Sequence, residues 1–302
     1  MNSPAMVRAE GAVETPRALR EAGRSDPARG LPDFIVIGAM RAGTTTLHRL
    51  LAAHPQVAMS REKEPDFFVA ERNFDRGLDW YRSLFPREGA VRGETSPNYA
   101  KCDIFPGVPE RISAHLPDVR LVYVLRDPVD RLLSHYRFAA AMGRSIDDDA
   151  FAHMVMTSRY ALQLGRFRDH FASERILVVD FEELRADPTV VLRRIGAFVG
   201  IPDGWDDAIR RAGVSEAANS GGELMRMPRW FFRLRRLRTV NDLRRRLPTA
   251  WADRIRRAVA AGPAREVPPP DPDAVARAAG ILRADAEALR GMTGLAFGSW
   301  SV

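Results

Sequence analysis

The sequence predicts an α/β fold in which a mostly parallel central sheet is flanked by helices on both faces, giving three layers. Two observations carry this prediction. Short apolar runs, typical of strands buried on both faces, alternate along the chain with longer amphipathic segments. Hydrophobic residues make up 45% of the 302 residues, which supports a substantial core. The β-α-β-α order with short buried strands predicts one α/β domain, and no internal repeat is evident.

The predicted strands number about four or five. They lie at 34–37, 56–60, 91–94, 120–126 and 175–180. Amphipathic segments predict helices at 74–85, 104–116, 129–142, 151–171, 187–199 and 273–289, besides the one that follows the first strand. The clearest central strand, 120–126, runs into Asp127 and Pro128, which are typical of the N-cap and first position of a helix.

A glycine-bounded turn joins the first strand to its helix. Gly38 and Gly43 are spaced as in the nucleotide P-loop, and Thr45 fits the last position of that motif. Such a turn forms a cradle for phosphate, because backbone N–H groups and the positive end of the helix dipole point at it. The fold is therefore predicted to be P-loop-like. A tight turn without a ligand is the alternative.

This turn departs from an ATP or GTP site at one position. Thr44 stands where the P-loop has its lysine, and the only cation of the turn is Arg41. Phosphoryl transfer needs that lysine on the β- and γ-phosphates. The sequence therefore favours an anionic nucleotide whose transferred group is not a γ-phosphate.

The composition is basic, with a formal net charge of +7, and only Lys63 and Lys101 are lysines. This surplus favours an anionic ligand or surface, although it fits a merely basic soluble protein equally well. Cys102 is the sole cysteine, which excludes an intrachain disulfide and a cysteine metal cluster. No apolar run has the length of a membrane span or the form of a signal core, so we expect a cytoplasmic protein.

Residues 1–31 lack sustained periodicity and are predicted to be a disordered leader. The domain then covers 32–302, with an arginine-rich cap or loop insertion at 215–270 and a C-terminal helix and tail at 271–302. Within the insertion, arginines and large apolar residues are interleaved over 226–257. This stretch is predicted either to touch an acidic membrane surface peripherally or to be a helical cap whose arginines face water.

Two further candidate sites lie close to predicted strands. A charged run precedes Phe67 and Phe68, and Pro65 keeps Glu64 out of the helical conformation. Glu64 is thus predicted to be a carboxylate held at a pocket edge, with a solvated, salt-bridged turn as the alternative. Arg126 ends a central strand, where ligands of open α/β sheets bind, but it can equally be a member of a structural ion pair.

These motifs resemble those of the sulfotransferases that use 3′-phosphoadenylyl sulfate (PAPS). Residues 38–45 (GAMRAGTT) resemble the 5′-phosphosulfate loop of that family, and residues 126–136 (RDPVDRLLSHY) resemble its 3′-phosphate motif. Residues 63–68, 93–99 and 295–300 are similar to the carbohydrate branch related to heparan sulfate sulfotransferases, in a bacterial-type form. The resemblance covers about 33–200 and the tail.

The resemblance implies PAPS as co-substrate and no metal. The implied donor-binding residues are Arg41, Ala42, Gly43, Thr44, Thr45, Thr46, Arg126, Ser134 and Tyr160. Arg126 would pair with the 3′-phosphate, and Ser134 would donate its hydroxyl. The implied catalytic residues are Glu64, which would take the proton of the acceptor, and Arg41, which would neutralise charge growing on the phosphate–sulfate bridging oxygen.

The chain departs from the family pattern at two positions. The family loop usually carries lysine where this chain has Arg41, which keeps the charge but is bulkier and cannot give up its proton. The position of Asp66 is often histidine in the carbohydrate branch. Asp66 is therefore either a second acidic group or a competitor of Glu64 as the base.

The implied reaction is transfer of the sulfuryl group to a hydroxyl of a carbohydrate or glycolipid-like acceptor, with a lipid or secondary-metabolite hydroxyl as the alternative. The expected partner is a glycan or a small molecule. Binding to nucleic acid is not expected. Segments 61–73, 95–105 and 215–240 are expected to shape the acceptor cleft. A P-loop kinase and a non-catalytic binder of anions or lipid surfaces are the rival classes.

Overall fold

The computed structural model describes residues 30–85, 91–212, 258 and 268–302. Its central sheet has five strands, all paired in parallel, in the order β2-β3-β1-β4-β5. The strands are β1 (Phe34–Gly38), β2 (Val57–Met59), β3 (Val91–Thr95), β4 (Arg120–Leu125) and β5 (Ile176–Asp180). The predicted strands are confirmed, each within a residue or two of its predicted bounds.

The helices of the described residues lie between these strands and after the last of them. They are α1 (Thr44–Ala52), α2 (Gly77–Ser83), α3 (Val108–His115), α4 (Pro128–Ala141), α5 (Asp148–Ser158), α6 (Tyr160–Arg168), α7 (Phe181–Ala186), α8 (Pro188–Val199), α9 (Trp205–Ala212) and α10 (Pro272–Thr293). A short 3₁₀ turn, Phe74–Arg76, precedes α2, and another, Ser173–Arg175, precedes β5. The short helices α7 and α9 were not expected from the sequence.

The sheet order places a topological switch point at the centre of the molecule. The chain builds β3 on one side of β1 and then crosses to build β4 on the other side. All of β1 is buried, since helices cover both faces of a parallel sheet. In open α/β sheets ligands bind outside the carboxyl ends of the strands at such a point. The loops that follow β1 and β4 therefore share one edge.

The helix that follows β4 starts as the sequence predicts. The carboxylate of Asp127 accepts hydrogen bonds from the amides of Val129 and Asp130, both at 2.9 Å, and Pro128 occupies the first helical position. A side-chain cap of this kind contributes about 1 kcal/mol to helix stability. It fixes where β4 ends and thereby where Arg126 lies.

The predicted single helix over 151–171 is wrong, because the chain breaks at Arg159 into α5 and α6. The first turn of α6 is capped from elsewhere in the molecule. The carboxylate of Asp285, on α10, accepts hydrogen bonds from the amides of Ala161 (2.8 Å) and Leu162 (3.2 Å). A capping group 124 residues away leaves no local signal in the sequence.

The C-terminal tail packs back onto the sheet edge. Phe297 stacks on Trp300 with ring centroids 4.2 Å apart, and Trp300 lies 5.8 Å from Tyr160. The backbone amide of Ser301 donates to the carboxylate of Asp127, beside the end of β4. The tail therefore contributes to the walls of the site.

Several predictions fall outside the described residues. These are nearly all of the leader at 1–31 and most of the cap at 215–270, with the whole arginine-rich stretch 226–257. Among the helices that the structure describes, none is long and apolar enough to cross a membrane.

Candidate active site

The loop after β1 supplies an open helix N-terminus. Gly43 has φ of 76°, and a Cβ on it would lie 2.5 Å from the ring of Phe181, so position 43 requires glycine. Gly43 has no side chain to cap α1, and no side chain of the described residues caps that helix. The amides of its first turn, at Thr44, Thr45 and Thr46, therefore point at the sheet edge without helical partners. This is the geometry that binds an anion.

Arg41 projects from the same loop and reaches the second motif. Its Nε donates a hydrogen bond to Oγ of Ser134 on α4 at 3.0 Å, and its guanidinium lies 5.0 Å above the ring of Phe138. Burial and the neighbouring charge of Arg126 lower the pKa of Arg41. Two cations that repel each other at a protein edge favour an anion between them. The structure thus brings together the two phosphate-binding motifs predicted from the sequence.

Arg126 forms the ion pair that was considered for it, and its role as a ligand contact stays a prediction. Its Nη2 pairs with Oδ2 of Asp130 at 3.0 Å, and its guanidinium lies 5.5 Å from the ring centroid of Phe181. Its Nε, however, is buried and has no hydrogen-bond partner among the described residues. Buried donors are nearly always paired, so this N–H is free to donate to a bound acceptor at the sheet edge.

Tyr160 is the first residue of α6 and lies beside β4. It is 1% exposed, and its ring lies 6.0 Å from Tyr123 of β4 in an edge-to-face arrangement. Burial raises the pKa of its hydroxyl, and the positive charge of Arg131 opposes this shift. Tyr160 is therefore a neutral wall residue next to the end of β4.

Glu64 reaches the sheet edge from the segment between β2 and α2. Its amide donates to the carbonyl of Thr95, the last residue of β3, at 3.0 Å. Its side chain is 43% exposed and forms an ion pair with Lys63. The position is therefore accessible to a second substrate, as a base must be.

Asp66, by contrast, is a buried and engaged carboxylate. Its Oδ2 accepts from Arg72 (2.6 Å) and from Asn98 (2.9 Å), and the residue is 3% exposed. Burial raises the pKa of Asp66, and Arg72 acts against that shift. Because Asp66 is buried and held by two partners, while the side chain of Glu64 is 43% exposed and pairs only with Lys63 among the described residues, the geometry favours Glu64 over Asp66 as the candidate base.

A buried carboxylate that was not singled out from the sequence holds the backbone of the segment around Glu64 in place. Glu94 accepts hydrogen bonds from Tyr81 (2.6 Å), Tyr99 (2.9 Å) and Ser96 (2.9 Å). The hydroxyls of Ser96 and Tyr99 in turn accept from the amides of Asp66 (3.2 Å) and Phe68 (3.3 Å). Burial raises the pKa of Glu94 to about 7. The Glu64 segment is thus tied to β3 through one carboxylate.

Two further polar residues of the edge were not singled out from the sequence. Nδ1 of His48, on α1, lies 3.2 Å from Oγ1 of Thr95, and burial with the charge of Lys63 lowers the pKa of His48 to about 4. Lys101, after β3, contacts the loop that carries Arg41. Only the place of Lys101 shortly after a strand end, in a chain with two lysines, could have drawn attention to it.

A parallel sheet with a glycine-bounded loop after β1 and a second cationic motif after β4 defines the class of P-loop-like α/β proteins. Comparison with known families is more specific. The model of the sulfotransferase domain family matches residues 31–215, which is more than half of the chain, and the protein belongs to this family.

Relatives of known name share part of the sequence. Heparan sulfate glucosamine 3-O-sulfotransferase 3A1 of Mus musculus is 34% identical over 192 residues, which cover 58% of this chain and 47% of the relative. Bifunctional heparan sulfate N-deacetylase/N-sulfotransferase 2 of Homo sapiens is 28% identical over 198 residues, covering 57% of this chain and 22% of the relative. The chain thus matches about half or less of the length of these relatives.

A solved structure confirms the fold. A sulfotransferase from Alicyclobacillus acidocaldarius superposes with a TM-score of 0.60 at 21% identity, covering 90% of this chain and 99% of the other. At this identity the likeness supports the predicted α/β, P-loop-like architecture of the molecule.

Proposed function

We propose that this protein is a PAPS-dependent sulfotransferase that moves the sulfuryl group to a hydroxyl of a carbohydrate or glycolipid-like acceptor. One observation carries the proposal. The open N-terminus of α1, Arg41 and the unpartnered Nε of Arg126 lie at one sheet edge, with the exposed Glu64 beside them. Membership of the sulfotransferase domain family agrees with this arrangement.

The residues of this edge fit a nucleotide with phosphate at two ends. The first turn of α1, at Thr44–Thr46, with the backbone of Ala42 and Gly43, would bind the 5′-phosphate. Arg126 would bind the 3′-phosphate through its free Nε. Ser134 accepts from Arg41 and still has its own proton to donate to the same phosphate. Tyr160 would border the nucleotide.

In the proposed reaction Glu64 removes the proton of the acceptor hydroxyl as the acceptor oxygen forms a bond to sulfur. The bond between sulfur and the bridging oxygen breaks, and its electron pair stays on the 5′-phosphate. Arg41 stabilises that charge as it develops. The products are a sulfate ester, 3′-phosphoadenosine 5′-phosphate (PAP) and a protonated Glu64.

The acceptor class rests on the named relatives, which include an enzyme called a glucosamine 3-O-sulfotransferase. A lipid or secondary-metabolite hydroxyl is the alternative acceptor. A P-loop kinase is disfavoured because Thr44 replaces the P-loop lysine. The cytoplasmic location, the metal-free reaction and a peripheral membrane contact through 226–257 stay predictions.

Calorimetric titration with PAP, against ATP with magnesium, tests the donor. We expect PAP to bind tightly and ATP not at all, and the reverse result would reassign the loop to phosphoryl transfer. Turnover is then measured with PAPS and heparan-type glycans. Glu64→Gln should abolish turnover yet keep PAP affinity, whereas the matched control Glu174→Gln, at the opposite end of β5, should retain both.

A further inference from the structure

Lys101 lies between the phosphate loop and the Glu64 segment. The residue is only 8% exposed. Its Nζ donates to Sδ of Met40, the neighbour of Arg41, at 3.0 Å and to Oδ1 of Asn98 at 2.7 Å. The amide of the Asn98 side chain donates to Asp66 at 2.9 Å. One ammonium group therefore touches the donor loop and, through Asn98, the segment of the base.

The partners of this ammonium group are weak for a buried cation. An ammonium has three N–H donors, and a thioether is a poor acceptor. Within the described part of the chain, Lys101 forms no ion pair with a carboxylate, and its hydrogen bonds go to a sulfur and an amide oxygen. Burying a charge in this way is costly unless an opposite charge is supplied. An anion at this position would supply it.

Lys101 keeps its positive charge near neutral pH, although its surroundings lower the pKa of its ammonium group. Burial, with Arg131 and Arg72, lowers the pKa of Lys101 to about 8, whereas Asp66 and Glu64 raise it. The group therefore keeps its proton at pH 7 but holds it less firmly than an exposed lysine. A bound anion would raise the pKa again.

We propose that Lys101 is a further substrate-binding residue, whose ammonium group donates to the oxygens of the transferred sulfuryl group. This proposal rests on the proposed function. The sulfuryl group must lie between the phosphate loop and Glu64 at the moment of transfer, and Lys101 bridges these two elements. The alternative is that Lys101 has only a structural role and holds Met40 and Asn98 together.

Comparing the binding of PAPS and PAP distinguishes these two roles of Lys101, because only PAPS carries the sulfuryl group. Lys101→Met removes the charge at similar length. We expect it to weaken PAPS binding by about 10-fold or more, the value of a charge-assisted hydrogen bond, while PAP affinity changes less than about twofold. Equal loss for both nucleotides, or no loss for PAPS, overturns the proposal. The control is Arg175→Met. Arg175 is exposed and pairs with Asp118 at the other end of the sheet, so this variant should bind both nucleotides like the wild type.

A second measurement uses the wild-type protein and so does not depend on the folding of the variant. The chain has two lysines, so protein grown with ε-¹³C-lysine gives two lysine signals, assigned with Lys63→Met. We expect PAPS to raise the titration midpoint of Lys101 by at least about one pH unit relative to the PAP complex. The same midpoint in both complexes contradicts the proposal. If the wild type binds neither nucleotide, the proposed function itself is wrong.

Discussion

Arg41 and Ser134 are joined by a 3.0 Å hydrogen bond between the loop after β1 and the helix after β4. The contact spans 93 residues of sequence and crosses the switch point of the sheet. It holds the side chain of the loop arginine against the helix that carries the second phosphate motif. If the two motifs bind phosphate as proposed, binding at one should therefore influence the other.

We first predict that Arg41 and Ser134 act as a unit in nucleotide binding. Measured by PAP titration, Arg41→Ala, Ser134→Ala and the double variant should give a coupling free energy between about 0.5 and 3 kcal/mol, as for groups in direct contact. Losses that simply add would show that the hydrogen bond has no role in binding.

Arg126→Ala should weaken PAP binding far more than AMP binding, because only PAP carries the 3′-phosphate. The loss of one charge-assisted contact costs on the order of 1.5–3 kcal/mol. Calorimetry with both nucleotides checks this difference. Asp130→Asn, which removes the ion-pair partner but keeps the guanidinium, should spare most of the PAP affinity. An equal loss for PAP and AMP would assign Arg126 to structure alone.

Glu94 should make the folded state more stable at low pH than at high pH. Its pKa rises from 4.5 in the unfolded chain to about 7 in the fold. A raised pKa favours the protonated folded form, so this contribution is complete below about pH 4.5 and is lost as the pH rises through about 7.

Urea unfolding of the wild type and Glu94→Gln at several pH values isolates this effect. We expect the wild type to lose stability relative to the variant between about pH 5 and pH 8, by at most a few kcal/mol. Parallel pH profiles would mean that Glu94 is already ionised in the fold. Glu287→Gln, on the exposed face of α10, should give a profile parallel to that of the wild type.

Asp285→Ala should destabilise α6 by removing its cap. Loss of a capping carboxylate costs about 1–2 kcal/mol. Chemical unfolding should show this loss, and hydrogen exchange should rise first at Ala161 and Leu162. The control Glu287→Ala lies on the same helix and should change little. Unchanged exchange at both amides would refute the capping role.

The sequence was most informative where structure depends on neighbouring residues. The strand limits, the cap by Asp127 and the glycine turn at Gly43 all follow from local preferences, and the structure has them. The Arg41–Ser134 proximity was accessible only through topology, since carboxyl ends of adjacent parallel strands meet at one edge.

The remaining features depend on contacts between distant segments. The helix that follows the break at Arg159 is capped by Asp285 from α10, and Lys101 contacts Met40, which lies 61 residues earlier. The engaged state of Asp66, which separates it from Glu64, depends on Arg72 and Asn98. No period or motif in the sequence records such partners.

The cap on α6 also bears on how the protein is made. Both phosphate motifs lie within residues 31–215, yet Asp285 leaves the ribosome well after them. A nascent chain can form the sheet and the loop early, but the helix that begins at Tyr160 acquires its cap only when the last helix has been synthesised. A fragment that ends at the boundary of the family match would therefore contain the nucleotide motifs without the support of Tyr160.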